Sequence, residues 1–141
     1  MAAKVKYDEV EVGQQLDPSE YRVERINLVM YAGASGDFNI IHWNEEIAKM
    51  VGLPNVISHG MFTMAKVGQY VTDWAGDAGA VVRFKTRFTK PVVVDNQAGN
   101  NVTVTGTVKQ KLDGNRVLIE LSATTQEGDN CAAAEAEVVL A

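Results

Sequence analysis

Hydrophobic positions follow two different periods along the chain, and the change falls near residue 80. Upstream, apolar residues recur three and four apart. Ile26, Val29, Met30 and Gly33 take that spacing across Glu24–Ala34, which predicts a helix with those residues as its apolar face. Glu24 is not a favoured N-cap residue, so a weak start is expected there. Ser35-Gly36-Asp37-Phe38-Asn39 breaks the pattern and reads as a loop. Asn44 then caps a short helix, Glu45–Val51, which Gly52 and Pro54 end. The longest periodic segment is Met61–Ala75. Met61, Phe62, Met64, Ala65, Val67, Gly68, Val71 and Trp74 cover most of its circumference and leave only a narrow polar stripe of Lys66, Gln69 and Asp73. A helix this apolar is expected to be buried.

Downstream the period becomes two. Val82, Phe84, Thr86 and Phe88 alternate with Arg83, Lys85, Arg87 and Thr89; Val102, Val104, Gly106 and Val108 alternate with threonines. Asp113-Gly114 marks a hairpin turn before Val117–Thr124, and Glu127-Gly128-Asp129 turns into a last strand ending at Leu140. Near the N-terminus, Pro18 reads as a turn and Tyr21–Val23 as a short strand. One buried helix followed by four antiparallel strands, with at least one strand before it, defines an α+β fold: a curved sheet wrapped around a central helix.

Composition narrows the class. The 141 residues suit one domain. Thirteen basic against 18 acidic residues give a net charge of −5, the wrong sign for a phosphate-backbone binder. No apolar run is long enough to span a bilayer. Met1–Gly13 has no apolar core of a secretion signal, and Cys131 stands alone without a disulfide or thiolate-metal partner. A cytoplasmic location is expected.

Candidate chemistry gathers at two places. Asp37 precedes His42 by five residues in a loop that turns once, which can bring a carboxylate and an imidazole over one small cavity as an acid/base pair. The same residues fit a plainer role, with Asp37 closing an Asx turn and His42 satisfied at a helix start. Ser58-His59-Gly60 opens the long helix, whose N-terminus offers unpaired N–H groups and a positive dipole end to a carbonyl oxygen. Glycine there allows close approach of a ligand to the backbone. His59 itself is read as a structural residue hydrogen-bonded to backbone. Asp37, His42 and His59 have metal-ligand chemistry but none of the usual ligand spacings, so no metal is expected.

Together the two motifs resemble a known family. Tyr31-Ala-Gly-Ala-Ser35-Gly36-Asp37-Phe-Asn39-Ile-Ile-His42, followed seventeen residues later by His59-Gly60-Met61, is similar to the MaoC-type signature of (R)-specific enoyl-thioester hydratases. Within that family, Ile41-His-Trp43, Glu46-Ile-Ala-Lys49, Val51-Gly-Leu53 and Arg87-Phe-Thr89 look most like the catalytic B subunit of the mycolic-acid-type (3R)-hydroxyacyl-carrier-protein dehydratases. The resemblance implies a hotdog fold over residues 1–141, with an antiparallel sheet of five or more strands around one long helix. It implies Asp37 and His42 as the catalytic dyad, Asn39 as a residue that orients it, and Gly60 as the donor whose N–H meets the thioester oxygen. Ile40 stands where the signature has proline, Asp95-Asn96 replaces a common Gly-Asp turn, and Gly68 stands where some relatives carry a supporting serine.

The activity so implied is syn elimination of water from a (3R)-3-hydroxyacyl thioester in fatty-acid elongation, or the reverse hydration. No cofactor is implied beyond the phosphopantetheine that carries the acyl group on acyl carrier protein or coenzyme A. A CoA-dependent (R)-enoyl-CoA hydratase of β-oxidation or polyester supply is the alternative. A hotdog thioesterase fits less well, because the long helix offers only Asp73 as an acid, and a non-catalytic hotdog subunit would lack the dyad. A homodimer, or a heterodimer with a non-catalytic hotdog subunit, is the implied assembly. Arg83, Lys85 and Arg87 share one face of one strand. They read either as a solvated strand face or as a dock for the phosphopantetheine phosphate and an acidic carrier protein.

Overall fold

A computed structural model describes residues 3–141. Its order is β1 (Gln15–Val23), α1 (Arg25–Ser35), α2 (Glu45–Met50), α3 (Gly60–Ala75), β2 (Val81–Phe88), β3 (Asn100–Leu112), β4 (Arg116–Thr125) and β5 (Asn130–Val139). The strands form one antiparallel five-stranded sheet in the order β1-β3-β4-β5-β2. The last three strands are joined by tight hairpins. Gly114 and Asn115 both adopt the left-handed conformation that the β3–β4 turn requires, with φ of 73° and 56°.

The sheet wraps α3, as alternation predicted. On β5 the buried set is Cys131, Ala132, Ala134, Ala136 and Val138. Three alanines in that row leave room for the helix to lie close to the sheet. Val67 and Val71 meet it as fully buried side chains, and Val102, Val104, Ile119 and Leu121 complete the core. Each such aliphatic burial contributes roughly 1.5–3 kcal/mol. Gly106 of β3 lies under Tyr70: a Cβ there would meet Leu121 at 3.0 Å and the Tyr70 ring at 3.2 Å. The N-terminal segment closes one end of the layer, with Lys4 N–H donating to the Ala75 carbonyl at 2.8 Å and Tyr7 N–H to the Ala141 carbonyl at 2.9 Å.

Three sequence expectations are corrected. Pro18 does not turn the chain; it lies within β1, a nine-residue strand rather than three. The strand tolerates it because β1 is an edge and its register shifts between Leu16 and Ser19. The long helix is not buried all round. Thr63, Val67, Tyr70, Val71 and Ala75 face the sheet, while Met61 and Ala65 remain exposed. The predicted apolar face of the first helix is likewise its outward face. Ile26, Val29 and Met30 are all more than half exposed, and the buried positions are Leu28 and Ala32. The weak start expected at Glu24 is met by Asn27, whose side chain accepts from the Glu24 N–H at 2.8 Å.

Candidate active site

Short polar side chains bonded to nearby backbone shape the loop after α1. Gly36 ends the helix at φ 74°, a value that favours glycine, and donates its N–H to the Ala32 carbonyl. Ser35 Oγ donates to the Tyr31 carbonyl at 2.7 Å and accepts the Asp37 N–H at 3.2 Å. The Asp37 carboxylate accepts the Asn39 N–H at 3.1 Å, an Asx turn, and Asn39 Oδ1 accepts the Ile41 N–H at 3.3 Å. Asn39 thereby starts the single tight helical turn Ile40–His42, and that turn delivers His42. Asn44 caps α2 through the Ile47 N–H at 3.0 Å.

A second segment comes in from the other side. Ser58 N–H donates to the Val92 carbonyl at 2.8 Å, and Ile57 bridges Val93. This short ladder presents the Ile57 carbonyl to His42 Nδ1 at 2.7 Å. A carbonyl only accepts, so Nδ1 carries the proton and Nε2 keeps its lone pair. His59 follows as the N-cap residue of α3, and its ring stacks on that of His42 with centroids 3.7 Å apart and planes 23° from parallel.

Ligating atoms of Asp37, His42 and His59 all lie within 4.8 Å of one another. The loop therefore brings together the two residues expected from their spacing, and adds a third. His42 is buried, 7% exposed, whereas Asp37 is exposed. Burial is the main influence on the His42 pKa and lowers it from 6.5; the neighbouring His59 also lowers it, while the Ile57 carbonyl and Asp37 raise it. The imidazole is thus held toward its neutral form, as a proton acceptor requires. A metal ion is poorly suited to the trio: lone pairs lie in ring planes, and two stacked rings direct them side by side rather than onto one centre.

Gly60 is the first residue of α3, so its N–H has no intrahelical acceptor and sits at the positive end of a sixteen-residue helix. The ring of Phe88 lies 3.3 Å from where a Gly60 Cβ would be, so a side chain there would press on that ring. Exposed apolar groups rim the site: Phe38, Ile40, Trp43 and Met61.

Arg83, Lys85 and Arg87 are exposed on β2 as expected, yet they stand apart from the dyad. Lys85 and Arg87 line a hollow shared with Glu120, Leu121, Ala133, Ala134 and Glu135, and none of the loop residues reaches it. Arg83 pairs across the ladder with Glu137, and Lys85 with Glu135. The face is mixed in sign, not purely basic. Sequence reasoning passed over the Ile57 carbonyl, which leaves no signal because any residue carries one. His59 is hydrogen-bonded to backbone, the Asp37 carbonyl, as expected; its stacking on His42 was not foreseen.

Comparison with known proteins gives the family and the fold. Residues 8–127 match the MaoC like domain, and the chain belongs to that family. Over 78 residues it is 42% identical to 3-hydroxyacyl-thioester dehydratase X of Mycobacterium tuberculosis, a stretch of 55% of this chain and 27% of that protein. Among solved structures, a MaoC-like dehydratase superposes with a TM-score of 0.94 at 36% identity, over 96% of this chain and 42% of the other. The unliganded R-hydratase PhaJ1 from Pseudomonas aeruginosa superposes with a TM-score of 0.85 at 27% identity, over 99% of this chain and 87% of that one. The chain therefore spans less than half the length of the first two and most of the third. The hotdog architecture is shared with the two solved structures.

Proposed function

We propose that this protein is a hydro-lyase of acyl thioesters, interconverting a (3R)-3-hydroxyacyl thioester and the trans-2-enoyl thioester with water. The observation that carries the reading is the state of His42. Its Nδ1 is tied to the Ile57 carbonyl, its Nε2 is free, its pKa is lowered, and the Asp37 carboxyl stands beside it at the N-terminus of α3. In the dehydration direction, His42 Nε2 takes the C2 proton. The C2–H electron pair moves onto the thioester carbonyl as an enolate, and on its collapse forms the C2–C3 double bond as the C3–O bond breaks. The leaving hydroxyl takes a proton from the Asp37 carboxylic acid and departs as water. His42 then returns its proton to Asp37. The Gly60 N–H holds the enolate oxygen that develops between the two events. Both groups act from one face, so the elimination is syn. Asn39 fixes the turn that sets the distance between them.

A fatty-acid dehydratase, with the acyl group on a carrier protein, is the specific role we favour; a CoA-dependent hydratase is the alternative. The chemistry needs no cofactor other than the phosphopantetheine of the substrate. A partner subunit is part of the proposal. β2 is an open sheet edge, and the exposed Met61, Val82 and Phe88 lie along it and the adjoining start of α3. The MaoC-like dehydratase that this chain covers to 42% has room for a second unit of similar size. The test is hydration of crotonyl and long-chain enoyl thioesters, on CoA and on carrier protein, by the chain alone and with a neighbouring hotdog subunit. Positioned acid/base transfer contributes ~10²–10⁴-fold, so Asp37→Asn and His42→Ala should each lose about that factor, Asp37→Asn with little change in melting temperature and His42→Ala with a lower one, because a buried, hydrogen-bonded ring is removed. Near-normal turnover in His42→Ala would sink the assignment.

A further inference from the structure

His59 touches both Asp37 and His42 and adjoins Gly60, yet the reaction just described makes no use of it. The residue is 1% exposed. Its Nε2 faces the backbone carbonyl of Asp37 at 3.1 Å, so Nε2 carries the proton and donates. Its Nδ1 is buried without a partner. Its ring lies on that of His42, and Tyr31 of α1 packs against the same imidazole with centroids 4.8 Å apart. As N-cap residue it also sets the start of α3, its carbonyl accepting the Phe62 N–H at 3.1 Å, and the next residue is Gly60.

These contacts restrain what the rest of the site leaves loose. The bond from His42 Nδ1 to the Ile57 carbonyl fixes one atom of the imidazole but not its plane. A ring stacked at 3.7 Å fixes the plane, and with it the direction of the Nε2 lone pair. Asp37 is exposed and its carboxylate is held only within its own loop. The bond from His59 to its carbonyl is the tie between that loop and α3. We propose that His59 is a positioning residue, which holds the ring plane of His42 and the backbone of Asp37 in register with the Gly60 N–H. The inference rests on the dyad reading above. The titratable groups facing the two rings are Asp37 from the loop and Tyr31 from α1, besides the rings themselves.

Two substitutions separate the contacts. His59→Gln keeps an N–H near the position of Nε2 and removes the ring. His59→Phe keeps a ring and removes the donor. Misplacement of reacting groups by about 1 Å costs up to ~10²-fold, so each variant should lower kcat for crotonyl-CoA hydration by roughly 10- to 100-fold with KM nearly unchanged. In His59→Gln the acidic limb of the kcat/KM profile should also move to higher pH, because a ring that disfavours protonated His42 is gone. A merely structural role would lower the folded fraction and leave that limb in place. If His59→Phe fails to fold, His59→Gln carries the test. Parental kcat and an unmoved limb in His59→Gln would overturn the inference, as would a loss of activity that tracks the loss of folded protein. His42→Ala, measured alongside, keeps the two readings apart. If it is inactive while the His59 variants are normal, only the positioning role fails. If it is active, the dyad itself fails.

Discussion

At the scale of single residues, the site is a set of hydrogen bonds that decide which atoms stay free. His42 has one nitrogen occupied by a carbonyl and one open, and burial lowers its pKa from 6.5. That shift has a consequence for stability as well as rate. The folded state disfavours protonated His42, so it binds fewer protons than the unfolded chain below about pH 6.5. The stabilisation associated with neutral His42 is present above the unfolded pKa and is lost as pH falls through the lower folded value. Urea unfolding between pH 7.5 and 5 should therefore show stability falling with acidity, with a shallower fall in His42→Gln; parallel slopes would contradict the linkage. Gly60 makes a second prediction. A Cβ there presses on the Phe88 ring, so Gly60→Ala tests packing and thioester approach at once. Phe88→Leu removes the obstructing ring. If the thioester oxygen meets the Gly60 N–H, Gly60→Ala should remain impaired in kcat and KM when combined with Phe88→Leu. Full recovery in the double variant would assign the defect to packing alone.

At the scale of elements, the central helix and its sheet were legible because their periods differ and their turns are marked by glycine. What misled was the assumption that an apolar stripe faces the protein's own interior. Ile26, Val29 and Met30 on α1, and Met61 on α3, have the spacing of a core face and are exposed. Periodicity reveals that a helix has a face, and says nothing about which molecule covers it. Pro18 misled for a related reason: proline excludes a central strand, and β1 is an edge. The approach of Asp37 to His42 was legible from their loop spacing, whereas the stacking of His42 on His59 depends on a contact across seventeen residues that spacing alone cannot express. The fit between sheet and helix also gives a prediction. Gly106 has Leu121, Tyr70 and Leu16 all within 3.3 Å of a missing Cβ. Gly106→Val should destabilise by ~1–3 kcal/mol through overpacking, read as a lower urea midpoint with an unchanged slope. An unchanged midpoint would mean that α3 can lift from the sheet without cost.

At the scale of the whole molecule, charge and assembly meet on β2. The strand is a sheet edge, and its outer face carries Arg83, Lys85 and Arg87 next to Glu135 and Glu137 of β5. Lys109 already bridges Glu120 and Glu135, at 3.2 and 3.7 Å, so those two carboxylates are partly answered from the other side. That leaves Lys85 and Arg87 as cations without a close acidic partner in the ion pairs of the described residues. If this strip receives the phosphate of a phosphopantetheine arm and an acidic carrier protein, its contribution is electrostatic and screened by salt. Charge reversal is a poor probe here, because a glutamate at position 85 would face Glu135 and disturb the sheet itself. Neutral substitutions avoid that. Lys85→Gln with Arg87→Gln should raise KM for a carrier-linked enoyl substrate several-fold at low salt, lose most of that difference at high salt, and leave an N-acetylcysteamine thioester unaffected. Oligomeric state must be measured on the same samples by sedimentation, since β2 is also the edge proposed to meet a partner. Raised KM for the carrier substrate in an intact dimer supports docking on this strip. Equal losses on both substrates with dissociation would assign the strip to assembly, and unchanged KM on the carrier substrate would leave it as solvated surface.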